Sequence, residues 1–222
     1  MTDQINPRQF EEAEGCADWR VVGDGACTYI GTGSFAASAR LVQAIGELPG
    51  MDDHPPAVDV RSDGVTVRLI TVDDDYFGMT ERDVEVARRI SAVAGDLGLS
   101  ADSSSVQTLL VIPGAPDTTA VMPFWQAVLG YDRRPDTPDE DLVDRHGRGP
   151  SFWFEPMDEP RPGGGGAIHV AVWVPSEHGE ARVAAALAAG GHVVRDDFAP
   201  SWWTLADAAG NEADMATVRG RD

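Results

Sequence analysis

The sequence predicts an α+β chain built from two modules in tandem. Residues 10–97 mix two-residue apolar alternation with two helical patterns. Residues 98–105 (GLSADSSS) are small and polar. Beyond them a β-α-β-β-β order occurs twice, on either side of a glycine run at 163–166. A chain of 222 residues suits two domains of about 100 residues each. The reading is therefore one module over residues 1–100 and a second over 104–219.

The elements follow in order. Phe10 and the acids after it open a short helix. Trp19 to Val22 and Ala26 to Ile30 read as strands around the turn Gly23-Asp24-Gly25. Residues 34–48 carry Phe35, Ala39, Leu41, Val42 and Ile45 near helical spacing, with Ser34 as N-cap and Pro49-Gly50 as the stop. Val58 to Val60 is a strand. Residues 65–72 alternate Val65, Val67 and Leu69 with Thr66, Arg68 and Ile70, as a half-buried strand does. Residues 80–97 form an amphipathic helix along Val84, Ala87, Ile90, Val93, Ala94 and Leu97, with Thr80 as N-cap and Asp83 at N3. The small polar stretch 98–105 is the boundary.

The second module starts with a strand over 106–112, a turn over 113–116 and a helix over 118–129. Loops with weak strands fill 132–149, and 151–155 is a strand. After the glycine run come a strand (167–174), a helix (177–189) and strands near 192–195, 202–206 and 213–218. The glycine run lacks the Lys and Ser/Thr of a phosphate loop and reads as a linker.

The charge excludes some partners. With 37 acidic against 17 basic side chains, the formal net charge is −20. A nucleic-acid backbone or an anionic membrane surface needs a basic face, so neither is expected. No run approaches the roughly 18 apolar residues of a membrane span. Residues 1–10 lack the apolar core of a signal peptide, and Cys16 and Cys27 form no C-x-x-C pair. Together these point to a reduced, cytoplasmic protein.

Asp53-His54-Pro55-Pro56, Thr71-Val72 and Gly78-Met79-Thr80-Glu81-Arg82-Asp83 resemble, in order and spacing, the D-H-H-P, T-H and G-L-T-x-x-D stretches of the pterin-4a-carbinolamine dehydratases. The resemblance covers most of residues 10–97. It implies helices packed on one face of a four-stranded antiparallel sheet. It also implies removal of water from a 4a-hydroxytetrahydropterin, a step that needs a general acid and a general base. The family uses three histidines; here His54 is the catalytic candidate, while Pro55 and Val72 stand where the others would be. As a turn residue, His54 would have its ring fixed by Asp52 or Asp53.

A second set of landmarks runs from Gln107 through Phe124-Trp125, Leu129-Gly130-Tyr131, Ile168-His169-Val170 and Gly190-Gly191-His192, to Trp203 with Asp207 through Glu212. This set is similar to the glyoxalase-like, or vicinal oxygen chelate, domains, a class that includes bleomycin resistance proteins and dioxygenases. The resemblance implies paired βαβββ modules forming a cup. It places the metal-ligand positions at Gln107 and Glu155 in the first unit and His169 and Asp214 in the second. Glu212 is the alternative to Asp214, being two residues away on the same strand face. That ligand set suits Zn, Ni, Mn or Fe, with Glu155 also the candidate base. Trp153, Trp202 and Trp203 are the candidate substrate-contacting aromatics. Adjacent Trp202 and Trp203 point to opposite faces, and which of them lines the cup is left open.

The expected function is therefore that of a glyoxalase/bleomycin resistance/dioxygenase-like protein holding a small molecule in the C-terminal cup with a divalent metal, as a metal-dependent lyase, isomerase or dioxygenase. The alternatives are a drug- or pterin-like-ligand binder without catalysis, and residual 4a-hydroxytetrahydropterin dehydration by the N-terminal module. Both resembled families imply a homodimer.

Overall fold

A computed structural model describes residues 4–147, 149–157, 168–206 and 212–220. The glycine run 163–166, residues 207–211 of the closing signature and the side chain of Phe124 lie outside the described set. The chain divides into two compact units: Met1–Val106 with Val218–Asp222, and Gln107–Thr217. Among the described residues no helix is long and apolar enough to cross a membrane.

In the first unit the elements are β1 (Gln4–Ile5), α1 (Pro7–Glu11), β2 (Arg20–Val22), β3 (Gly25–Gly31), α2 (Phe35–Gly46), β4 (Ala57–Val60), β5 (Gly64–Leu69), β6 (Thr71–Asp73), β7 (Tyr76–Thr80), α3 (Glu81–Asp96) and β8 (Ser100–Ala101). The main sheet runs β2-β3-β5-β4, all antiparallel. Alternation along β3 and β5 puts Ala26, Thr28 and Ile30 opposite Leu69, Val67 and Val65, one buried face. α2 packs on β4, β5 and α3. Its Ser34 side chain accepts from the Ala37 N–H at 3.2 Å, and Leu41 and Ile45 point into the core.

Two expectations change here. The strand over 65–72 breaks at Ile70, and Thr71 starts β6, which pairs with β7 and not with the main sheet. The stretch read as a boundary is partly structured too: Ser100 and Ala101 pair with Gly31 and Ile30. β2 ends opposite Gly25–Cys27, so the later part of β3 would otherwise leave backbone groups unpaired, and β8 takes them up.

The second unit holds β9 (Thr108–Ala115), α4 (Thr118–Leu129), β10 (Asp132–Arg133), β11 (Asp141–Val143), β12 (Ser151–Trp153), β13 (Glu155–Pro156), β14 (Ile168–Trp173), α5 (Gly179–Ala188), β15 (His192–Arg195), β16 (Trp202–Ala206) and β17 (Glu212–Ala216). The sheet order is β10-β11-β12-β9-β14-β17-β16-β15, with β13 also on β9. Each half is a βαβββ unit whose first strand lies parallel to its last, and the halves meet where β9 and β14 run antiparallel. Gly130 closes α4 at φ 67°, a left-handed cap that favours glycine, and its N–H donates to the Gln126 carbonyl at 2.9 Å.

Here the sequence reading misplaced two boundaries. β9 runs through Pro113, which sits opposite Ile168 at the start of β14, where a missing N–H costs the ladder least. The strand over 151–155 splits in two at Phe154, whose N–H donates to the Glu140 carbonyl at 2.8 Å.

Leu41 is fully buried on α2, whereas Phe35 on the same helix is 63% exposed. Leu41→Ala is expected to destabilise the first unit by about 2–5 kcal/mol, and Phe35→Ala by no more than about 0.5 kcal/mol. Urea unfolding followed by circular dichroism checks both, and equal midpoint shifts would contradict this core.

Candidate functional site

The period of two along each strand sorts the second unit's side chains into two faces. One packs on the helices. Phe152, Phe154 and Leu142 cluster there with Met122 and Trp125 of α4, and Leu205, Met215 and Trp203 cluster with Val183 of α5. The strand registers then fix the other face. Ile112 is opposite His169, Gly114 opposite Glu155, Ala171 opposite Asp214, and Asp214 opposite Thr204. Trp153, Glu155, His169, Thr204 and Asp214 thus share the face turned away from the helices, together with Trp202.

Three of these side chains are joined. Thr204 Oγ1 donates to Asp214 Oδ1 at 2.7 Å, and His169 Nε2 donates to Asp214 Oδ2 at 3.2 Å. Thr204 is directly opposite Asp214, and His169 reaches it diagonally from β14. Burial pushes the Asp214 carboxyl up, but the hydrogen bonds from His169 and Thr204, with the charges of His169 and Arg195, outweigh it and hold the group below the usual carboxylate value. An ionised Asp214 assigns the ring proton to Nε2. A neutral His169 then presents Nδ1 as a lone-pair acceptor. His169 is only 8% exposed, and among the described residues its Nδ1 has no hydrogen-bond partner.

The remaining candidates divide. Glu155 and Trp153 lie on the same face as His169. Trp202 does too, with Phe198 stacked on it at 4.2 Å between ring centroids and Arg195 over the Phe198 ring at 5.1 Å. Trp203, expected as a substrate contact, belongs instead to the core against α5, because it is one residue out of phase with Trp202. Gln107 is also misplaced by the ligand reading. It precedes β9, five residues from Ile112 and on the opposite face by parity, and its Oε1 accepts from Arg182 at 3.4 Å. Gln107, Glu155, His169 and Asp214 therefore do not assemble into one metal site, and among the described residues no group of three His, Cys, Asp or Glu side chains could hold an ion. Asp214 and Glu212 do share a face, but it is Asp214 that touches His169. Asp214 thus stands where a partner orienting an imidazole stands.

In the first unit, His54 is buried and its ring is fixed by Asp83, not by Asp52 or Asp53, both of which are exposed. His54 Nε2 lies 2.7 Å from Asp83 Oδ1. Asp83 Oδ2 accepts from Thr71 Oγ1 at 2.8 Å, from the Thr80 N–H at 2.8 Å and from Thr80 Oγ1 at 3.0 Å. A carboxylate with no exposure is thereby saturated with donors, and one of them closes the first turn of α3. Val72, at the third histidine position, is 51% exposed, and Pro55 is exposed as well.

The sequence reading did not single out Thr204, nor Asp83 as a partner of His54. Asp83 had a signal, its N3 position, but the signal concerned only the helix cap. Thr204's role depends on the β16–β17 register, which no local pattern carries.

Asp83→Ala leaves His54, Thr71 and the Thr80 N–H without their shared acceptor, and an expected loss of about 2–4 kcal/mol in urea unfolding follows. Asp214 has a distinct pH signature. Its folded pKa lies below the ordinary 3.8, so its contribution to stability is full above that pH and is lost as pH falls through the folded value. The difference in melting temperature between wild type and Asp214→Asn should be constant near neutrality and shrink below pH 3.8. A difference that does not change in acid would contradict it.

Comparison with known proteins agrees with the two units. The family model for pterin 4 alpha carbinolamine dehydratase matches residues 3–93, and the model for a glyoxalase-like domain matches residues 110–216. Over 94 residues the chain is 31% identical to a Nocardia farcinica (strain IFM 10152) protein named as a pterin-4-alpha-carbinolamine dehydratase, covering 42% of this chain and 97% of that protein. A Mycobacterium leprae (strain Br4923) protein of the same name is 33% identical over 79 residues, covering 36% of this chain and 82% of its own length. A glyoxalase/bleomycin resistance protein/dioxygenase superfamily member from Vibrio splendidus 12B01 aligns over 50% of this chain and 99% of its own, at 16% identity and TM-score 0.32. The chain belongs to the pterin-4-alpha-carbinolamine dehydratase family through its N-terminal domain, and that domain is followed by a glyoxalase-like domain.

Proposed function

We propose that the glyoxalase-like domain binds a small organic molecule on the open face of its sheet, and that His169 is the proton acceptor for that molecule. The observation that carries this reading is the buried Nδ1 of His169, which has no partner among the described residues while Nε2 is tied to Asp214. Trp153 and Trp202 on the same face supply flat apolar walls of the kind that line ligand sites. Chemically, a neutral imidazole held by an ionised carboxylate takes a proton at Nδ1 and shares the resulting charge with Asp214, while Thr204 fixes the carboxylate. Glu155, half-buried on the same face, is the second group able to accept. No step is routed through a metal, because the donor set does not converge.

For the N-terminal domain, loss of the dehydration step is proposed. Dehydration of a 4a-hydroxytetrahydropterin asks for two proton carriers, and the residues at the motif positions supply His54 alone, with its Nε2 held by Asp83. We propose the boundary between modules after β8, within residues 102–107, a span that falls between the matched ranges 3–93 and 110–216.

Two measurements test this reading. In a ligand-observed NMR screen of planar heteroaromatic fragments on the full chain, hits are expected to be lost in Trp202→Ala; hits indifferent to that change would contradict it. Ligand at 100 times its dissociation constant adds about 2.7 kcal/mol of stability. Zinc, nickel or manganese is accordingly expected to leave the melting temperature unchanged, and a saturable rise that His169→Ala abolishes would restore the metal reading.

A further inference from the structure

We infer that Phe198 is a positioning residue: stacked on Trp202, it holds the Arg195 guanidinium off Asp214, so that the carboxylate stays with His169. This rests on the His169–Asp214 pair described above and names what protects it. The starting observation is a β-bulge. β15 pairs Val193 with Leu205 and then Arg195, not Val194, with Thr204. A bulge re-aims side chains, and this one turns Arg195 to the open face, in one row with Thr204 and Asp214.

An arginine so placed has a partner within reach. The Cα atoms of Arg195 and Asp214 are two strand spacings apart, about 10 Å. The long arginine side chain can cover that span, and its planar fork fits a carboxylate with two parallel N–H bonds. Such a pair would take the oxygens that His169 and Thr204 now use, and it does not form. Asp214 Oδ2 accepts from His169 at 3.2 Å and Oδ1 from Thr204 at 2.7 Å, while Arg195 acts on Asp214 through its charge alone. Among the described residues Arg195 has no hydrogen-bond or ion-pair partner. Its guanidinium carbon lies 5.1 Å from the centroid of the Phe198 ring instead, and that ring is stacked on Trp202 at 4.2 Å with 11° between planes. The N–H groups of Ser201 and Trp202 donate to the Phe198 carbonyl at 2.9 and 3.3 Å, which fixes the turn that carries the ring. A stacked guanidinium and a surface ion pair are of similar strength, so one well-held ring decides where the arginine lies.

The test is nitrogen-15 NMR of the His169 ring in the full chain, which reports which ring nitrogen carries the proton. Wild type, Phe198→Trp and Arg195→Gln are expected to keep the proton on Nε2. Phe198→Ala frees the arginine to pair with Asp214, and the fixed tautomer is expected to be lost. Phe198→Ala combined with Arg195→Gln is expected to regain it, because the competing cation is gone. Phe198 is 46% exposed, so its removal leaves the core intact, and an unchanged circular dichroism spectrum checks this. A tautomer that Phe198→Ala leaves fixed, or a loss that the added Arg195→Gln does not reverse, overturns the inference while leaving the His169–Asp214 reading in place. A wild-type ring without the proton on Nε2 removes both.

Discussion

The hydrogen bond between His169 and Asp214 joins two neighbouring parallel strands, and the chemistry argued for the C-terminal domain depends on it. Remove it and His169 has no reason to hold its proton on Nε2 and leave Nδ1 as the acceptor. The bond exists because alternation puts both residues on one side of the sheet and the β14–β17 register places them a diagonal apart. Thr204 adds the third point from β16, so the carboxylate is fixed by strands on both sides of its own. A group held in this way by rigid elements needs no reorganisation when charge develops beside it.

Each unit contains a histidine tied to an aspartate, and the two ties do different work. Asp83 is fully buried and accepts from a side-chain ring, two hydroxyls and a backbone N–H, so its bonds close a helix turn and bind the loop of His54 to it. Nothing on Asp83 is left to offer. Asp214 accepts from a ring and a hydroxyl, and the ring it orients has a nitrogen without a partner among the described residues. The first arrangement is what a stable fold asks of a buried carboxylate. The second is what a binding site asks of an imidazole.

Much of this was legible in the sequence. The helices at Phe35–Gly46 and Glu81–Asp96 follow from apolar spacing and capping residues that act within one turn. The two βαβββ units follow from the order of elements, and the two families from short motifs. Side-chain partners were less legible, because they depend on register. Gln107 lies near the start of a strand, as the family pattern asks, yet parity and a five-residue offset take it away from His169. Trp202 and Trp203 were known to face apart, but only the clustering of Trp203 with Val183 says which one lies against a helix. Asp83 was visible as a cap, and its second role with His54 required a pairing across 29 residues.

The state of the His169 ring tests the central claim most directly. Nitrogen-15 NMR of the histidine side chains in the full chain, assigned through His169→Gln, reports which ring nitrogen carries the proton. The expected result is that the neutral ring carries its proton on Nε2 and leaves Nδ1 bare, and that this fixed tautomer is lost in Asp214→Asn. A proton on Nδ1 in the wild type, or a tautomer unmoved by Asp214→Asn, would contradict it.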